Sequence, residues 1–173
     1  YAEAFLPPTF AQLGQVLRDA KPRGAPYHVV HFDGYGAFDR EVGMGGLCFE
    51  NPEDIGKLEQ RGHVNVFTND LGPLLRDHRI PLVFLEAYQT ADAESASVSV
   101  ASELLKVGVA SVVAMSHNLM LETTARFVGA FYGALARGDR VGDAMLAGQR
   151  ELKDNTFRGS IFGAGELRLE DWF

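Results

Sequence analysis

Few residues in this sequence could do chemistry, and the spacing of each tests its reading. Gly34-Tyr35-Gly36 follows a β-branched and aromatic stretch, which invites a dinucleotide-binding turn. The third glycine of that fingerprint falls on Asp39, however, and glycine-rich sequence follows in place of a helix, so the reading is rejected. No glycine-rich run ends in Lys-Ser or Lys-Thr, which excludes a phosphate loop. His28 and His31 stand three apart on a predicted strand and point to opposite faces, so they cannot share a metal ion. His63 and His78 lie in polar surroundings and read as solvated. His117 leaves the carboxyl end of an apolar strand, where it is either a base or an ordinary loop histidine beside a crevice. Cys48, between Leu47 and Phe49, reads as a small buried hydrophobe, because a reactive thiolate needs a cation or histidine nearby and several residues on each side supply none. Neither a cofactor nor a metal is expected.

The elements that must position these residues follow from periodicity. Phe10, Leu13, Val16 and Leu17 recur at helical spacing after Thr9, a natural N-cap, and the stretch closes at Lys21-Pro22. Tyr27–Phe32 reads as a strand with a sharp exit at Asp33-Gly34-Tyr35-Gly36. Leu47–Glu50 reads as a hairpin arm and Val64–Thr68 as a further short strand, and a short helix runs from Asn69 or Asp70 to His78. Leu82–Leu85 and Val109–Met115 are unbroken apolar runs, the pattern of strands buried on both faces. Between them a serine-dotted helix carries Val98, Ala101, Leu104 and Leu105, with Gly108 at its C-terminal cap. Two more amphipathic helices follow, one ending at Gly138, then an irregular Phe157–Gly165 and a last strand near Glu166–Leu169. Alternating strand and helix predict an α/β fold with a mostly parallel central sheet and helices on both faces. Ligands of such sheets sit beyond the carboxyl ends of the strands, here Asp33–Gly36, Glu86–Thr90 and Ser116–Asn118.

Composition narrows the class. With 173 residues, one core is expected. Acidic residues outnumber basic ones by 23 to 16, a net charge of −7, the wrong sign for nucleic acid or for an anionic membrane surface. A single cysteine and the lack of any Asn-x-Ser/Thr sequon point to a reducing cytoplasm. The sequence opens on Tyr1 and stops at Phe173, and is read as a piece excised from a longer protein.

Tyr27-His28-Val29-Val30-His31-Phe32-Asp33-Gly34-Tyr35-Gly36 resembles the first signature of the CHAT domains, caspase-like cysteine peptidases of the separase and caspase clan, clan CD. Pro81-Leu82-Val83-Phe84-Leu85-Glu86-Ala87-Tyr88-Gln89-Thr90-Ala91 is similar to their nucleophile strand and loop. Further likeness runs through Pro7–Phe10, Val98–Met115, Phe131–Gly138 and Asp171–Phe173. The resemblance implies a caspase-like three-layer sandwich formed by residues 1–173 as one domain, inside a bacterial protein with helical repeats upstream.

In the family, the residue between the two glycines is the catalytic histidine and the residue after the alanine is the nucleophilic cysteine. Here those positions hold Tyr35 and Tyr88. A phenol with a pKa near ~10 is neither a good base nor a good nucleophile at neutral pH. Asp33, Glu86 and Asp92 would raise the Tyr88 phenol further. His31, four residues before Tyr35 and inside the strand, reads as a core histidine. The resemblance therefore implies a non-catalytic pseudopeptidase acting as an interaction or regulatory module. The alternative is an active cysteine endopeptidase of the family, for which only Cys48 could serve. The two tyrosines are expected close together at the carboxyl edge of the sheet, with ring centroids within about 7 Å. They either plug the old cleft or line a peptide-binding surface with Asp33, Gly34, Gly36, Glu86, Gln89, Asp92 and His117. The two glycines would let a ligand approach the backbone closely, and the carboxylates would favour a protein or peptide partner with basic side chains.

Overall fold

The computed structural model describes residues 3–4, 8–88, 96–115, 121–161 and 165–168. They fall into two compact units, Tyr1–Asn118 and Leu119–Phe173.

In the first unit, helix α1 (Phe10–Ala20) begins where Thr9 turns extended and its hydroxyl accepts the Gln12 N–H at 3.1 Å. Strands β1 (Val29–Asp39), β2 (Met44–Glu50), β3 (His63–Phe67), β4 (Leu82–Tyr88) and β5 (Ser111–Ala114) form one sheet in the order β3-β2-β1-β4-β5. Helix α2 (Thr68–Asp77) lies between β3 and β4 in sequence, and α3 (Ala96–Lys106) between β4 and β5. Alternation along each strand sends Phe32, Leu47, Phe49, Val66, Val83 and Leu85 to one face, where they pack with Leu17, Leu71, Leu75, Val100 and Leu104 from the three helices. The rings of Phe10 and Phe32 lie 5.6 and 5.4 Å from that of Phe49. Helix α3 ends in a Schellman turn: Gly108 takes φ +104°, its N–H donates to Leu105, and the Val109 N–H donates to Leu104.

The fold is α/β, but the sheet is mixed rather than mostly parallel. β1–β4 and β4–β5 are parallel, while β1–β2 and β2–β3 are antiparallel. Nor does β1 exit at Asp33. It pairs with β4 as far as Tyr35, changes partner at Gly36 and continues to Asp39 beside β2. A strand that acquires a new ladder as the old one ends has no reason to turn, so its glycines stay extended.

In the second unit, α4 (Leu121–Ala136) and α5 (Val141–Asp154) pack together, with Gly148 so near Phe127 that a β-carbon there would stand 2.6 Å from the ring. Gly138 at φ +92° repeats the Schellman turn, its N–H donating to Leu135 while Asp139 donates to Ala134. The stretch read as irregular is instead a strand, β6 (Phe157–Ile161), paired antiparallel with β7 (Gly165–Arg168). Among the described residues no helix is long and apolar enough to cross a membrane.

Candidate functional site

The register of β1 and β4 assembles the site. Asp33 is paired with Glu86, Gly34 with Ala87 and Tyr35 with Tyr88, so the two tyrosines occupy facing positions on adjacent parallel strands. Alternation places His31, Asp33 and Tyr35 on the face of the sheet opposite the α1–α3 core. Tyr35 is 59% exposed. The expected ring distance depends on the Tyr88 side chain, which lies outside the described residues, as do Gln89, Asp92 and His117.

Gly34 and Gly36 face the other way. A β-carbon at Gly34 would meet the Phe32 ring at 3.0 Å, and Gly36 is buried in register with Leu47. A side chain at position 34 would therefore have to displace the Phe32 ring by a few tenths of an ångström. The two residues also belong to a strand, which corrects the expectation of a loop at Asp33–Gly36.

His31 is not a core histidine. Its side chain keeps 28% of its exposure and its Nε2 lies 3.3 Å from Glu86 Oε2, with the His31 ring 4.7 Å from that of Phe84. The separation suits an ion pair, yet burial moves both groups towards neutrality: it lowers the His31 pKa, which Asp33 partly offsets, and raises that of Glu86, to which Asp33 adds. The contact is accordingly read as a hydrogen bond rather than a full ion pair, because the lowered His31 pKa disfavours the imidazolium. Sequence reasoning missed it because the diagonal between β1 and β4 exists only once the register is set.

A pH dependence follows, with opposite signs for the two groups. The folded pKa of Glu86 lies above its ordinary 4.5, so its contribution is fully present below that value and is lost as pH rises through the raised one. The folded pKa of His31 lies below 6.5, so its contribution is present above 6.5 and is lost as pH falls through the lowered one. Glu86→Gln is therefore expected to stabilise the domain at neutral pH by about 0.5–1 kcal/mol, the scale of a like-charge pair facing across two strands. That gain should fade below pH 4.5. Urea midpoints across a pH series measure it, and a gain that stays constant with pH would contradict the assignment.

Cys48 also departs from expectation. It is half-buried and alternates away from Leu47 and Phe49, which places it on the same face as Tyr35. It stands one position beyond the Gly36–Leu47 pair, on the strand next to Tyr35. Its thiol lies 3.3 Å from Asn65 Oδ1, and burial raises its pKa, the opposite of what activation requires. Among the described residues no group of three or more His, Cys, Asp or Glu side chains could hold a metal ion.

The geometry can thus present aromatic and acidic surface, and the thiol partner found among the described residues is the Asn65 amide oxygen. No curated protein and no solved structure matches the chain. The family model of the CHAT domain does match, over residues 4–161. It spans both signature stretches, the β1–β4 pair they form and most of the second unit. The chain belongs to the CHAT domain family.

Proposed function

We propose that this CHAT domain is a non-catalytic member of its caspase-like family, working as a protein-interaction or regulatory module. One observation carries the reading: the two strand positions that hold histidine and cysteine in the family are in register here, and both are tyrosine. The frame that would set a dyad is kept while its chemistry is gone. Where two catalytic groups act as a unit, losing either typically costs on the order of a millionfold in rate.

The surface left behind suits a peptide with basic side chains. Tyr35 offers an exposed aromatic ring, and Asp33 with Glu86 puts two carboxylates in facing positions beside it. An arginine stacked on the ring and paired with a carboxylate would gain ~0.5–2 kcal/mol when partly desolvated. Titration with arginine-containing and acidic peptides at low and moderate salt tests this, and a preference for the acidic peptides would count against it.

The position of Cys48 on the face of Tyr35 keeps a second reading alive, that of an active endopeptidase with a displaced nucleophile. A peptide electrophile directed at thiols separates the two. The expected result is slow labelling of Cys48 that excess peptide does not block. Rapid capture that peptide substrate blocks would favour the enzyme.

A further inference from the structure

The sheet ends on β3, and among the described residues nothing pairs with its outer side. Such an edge presents a row of N–H and C=O groups that is a ready template for another extended backbone. Natural edges are commonly guarded by lysine or proline, and His63-Val64-Asn65-Val66-Phe67 contains neither. Beside it Val64 is 43% exposed although its partner Phe49 is buried, so the apolar face of the sheet is left uncovered at this margin.

The preceding loop adds to that margin. It closes at its neck, where the Asn51 N–H donates to the Gly62 carbonyl at 3.3 Å and the buried Asp54 carboxylate accepts the Gly62 N–H at 2.6 Å. Between these ties Ile55 and Leu58 are held out in water, Leu58 at 96% exposure. Charge tells what kind of strand would fit. The cations of the loop are engaged, Lys57 with Asp54 and Arg61 with Glu50. Glu53 and Glu59 before β3 and Asp70 after it are exposed carboxylates with no ion pair among the described residues.

We propose that the outer edge of β3 takes an extended segment of a partner protein as a sixth strand, apolar at its centre and basic at its ends. A second copy of this chain fits less well, because it brings a net charge of −7 and its own arginine at this edge is already held by Glu50. The proposal concerns an edge three strands from β4 and is independent of the reading of the tyrosine pair.

The test uses the 173-residue chain and a capped peptide, Lys-Val-Thr-Val-Thr-Lys, followed by amide shifts and calorimetry at low salt. Saturable binding is expected. Methylating alternate backbone nitrogens of the peptide, which leaves its charge intact, should weaken it at least about tenfold. Glu59→Lys with Asp70→Lys, both at exposed positions and each checked for an unchanged denaturant midpoint, should weaken it similarly and flatten its salt dependence. Tyr35→Ala should leave it unchanged. The proposal is overturned if no saturation is reached at roughly millimolar peptide, if the methylated peptide binds equally well, or if Tyr35→Ala abolishes binding. Sedimentation that detects a dimer broken by Val64→Lys would assign the edge to a second copy instead.

Discussion

Tyr35→His combined with Tyr88→Cys is expected to restore at most a trace of peptide hydrolysis, orders of magnitude short of the roughly millionfold such a dyad supplies. The register keeps the two backbones in facing positions, so proximity is not what fails. The electrostatics fail. Asp33 and Glu86 form the next pair inward on the same face, and burial together with Asp33 already raises Glu86, so a thiolate generated beside them would be disfavoured in the same way. Their carboxylates would also draw an introduced imidazolium away from the thiol. Catalytic groups must sit within about 0.5 Å of productive geometry, held by neighbours built for them, and here the neighbours are acidic. The substitution at Tyr35 costs little stability because its ring is mostly in water. Turnover of a fluorogenic peptide set with denaturant midpoints checks both parts. Robust hydrolysis would mean that the rest of the machinery survived intact, and would overturn the view that this surface is organised for binding.

Arg158→Met should destabilise the second unit by about 2–3 kcal/mol, the scale of charged hydrogen bonds lost to carbonyls that stay buried. Arg158 is 2% exposed, and among the described residues it meets carbonyl oxygens rather than a carboxylate. Its Nη1 donates to Asn155 at 2.6 Å and Phe157 at 3.1 Å, and its Nη2 donates to Leu152 at 2.7 Å. These oxygens sit at the carboxyl end of α5, where carbonyls lack helical partners and the helix dipole favours a cation. Arg126 reaches the same place from α4, donating to Phe157 at 2.6 Å and Asn155 at 3.0 Å as well as to Glu151. Burial and the neighbouring Arg126 both lower the pKa of Arg158. Removing Arg126 relieves that repulsion and leaves Asn155 and Phe157 still bonded, so Arg126→Met should cost less, about 1–2 kcal/mol. Arg158→Lys should rescue little, since one ammonium cannot reproduce the planar fork. Urea denaturation of the three variants measures the series, and a loss below about 1 kcal/mol for Arg158→Met would refute the argument.

What can be read along the chain is what local physics decides. Thr9 caps α1, and the glycines after α3 and α4 take positive φ, because a helix end is closed by residues within a few positions of it. The apolar runs of β4 and β5 announced strands whatever their neighbours. Both stretches that resemble the family's signatures, with Tyr35 in one and Tyr88 in the other, are legible without coordinates. The tertiary structure decided everything that depends on which strand lies beside which. That β1 runs on to Asp39 follows from β2 taking over its ladder at Gly36. That Asp33 faces Glu86 and Tyr35 faces Tyr88 follows from the β1–β4 register, where a slip of one residue would send every side chain to the other face. Cys48 looks like a core residue beside Leu47 and Phe49, but the alternation of β2, which turns those two towards the α1–α3 core, turns it to the face of Tyr35. Arg158, in a stretch that reads as irregular, is buried because its guanidinium meets the carbonyls of Leu152 in α5, of Asn155 at its cap and of Phe157 in β6. Propensity and periodicity are properties of a segment, whereas register, facing and the partner of a buried charge belong to pairs of segments far apart in the chain, and only the folded chain brings those pairs together.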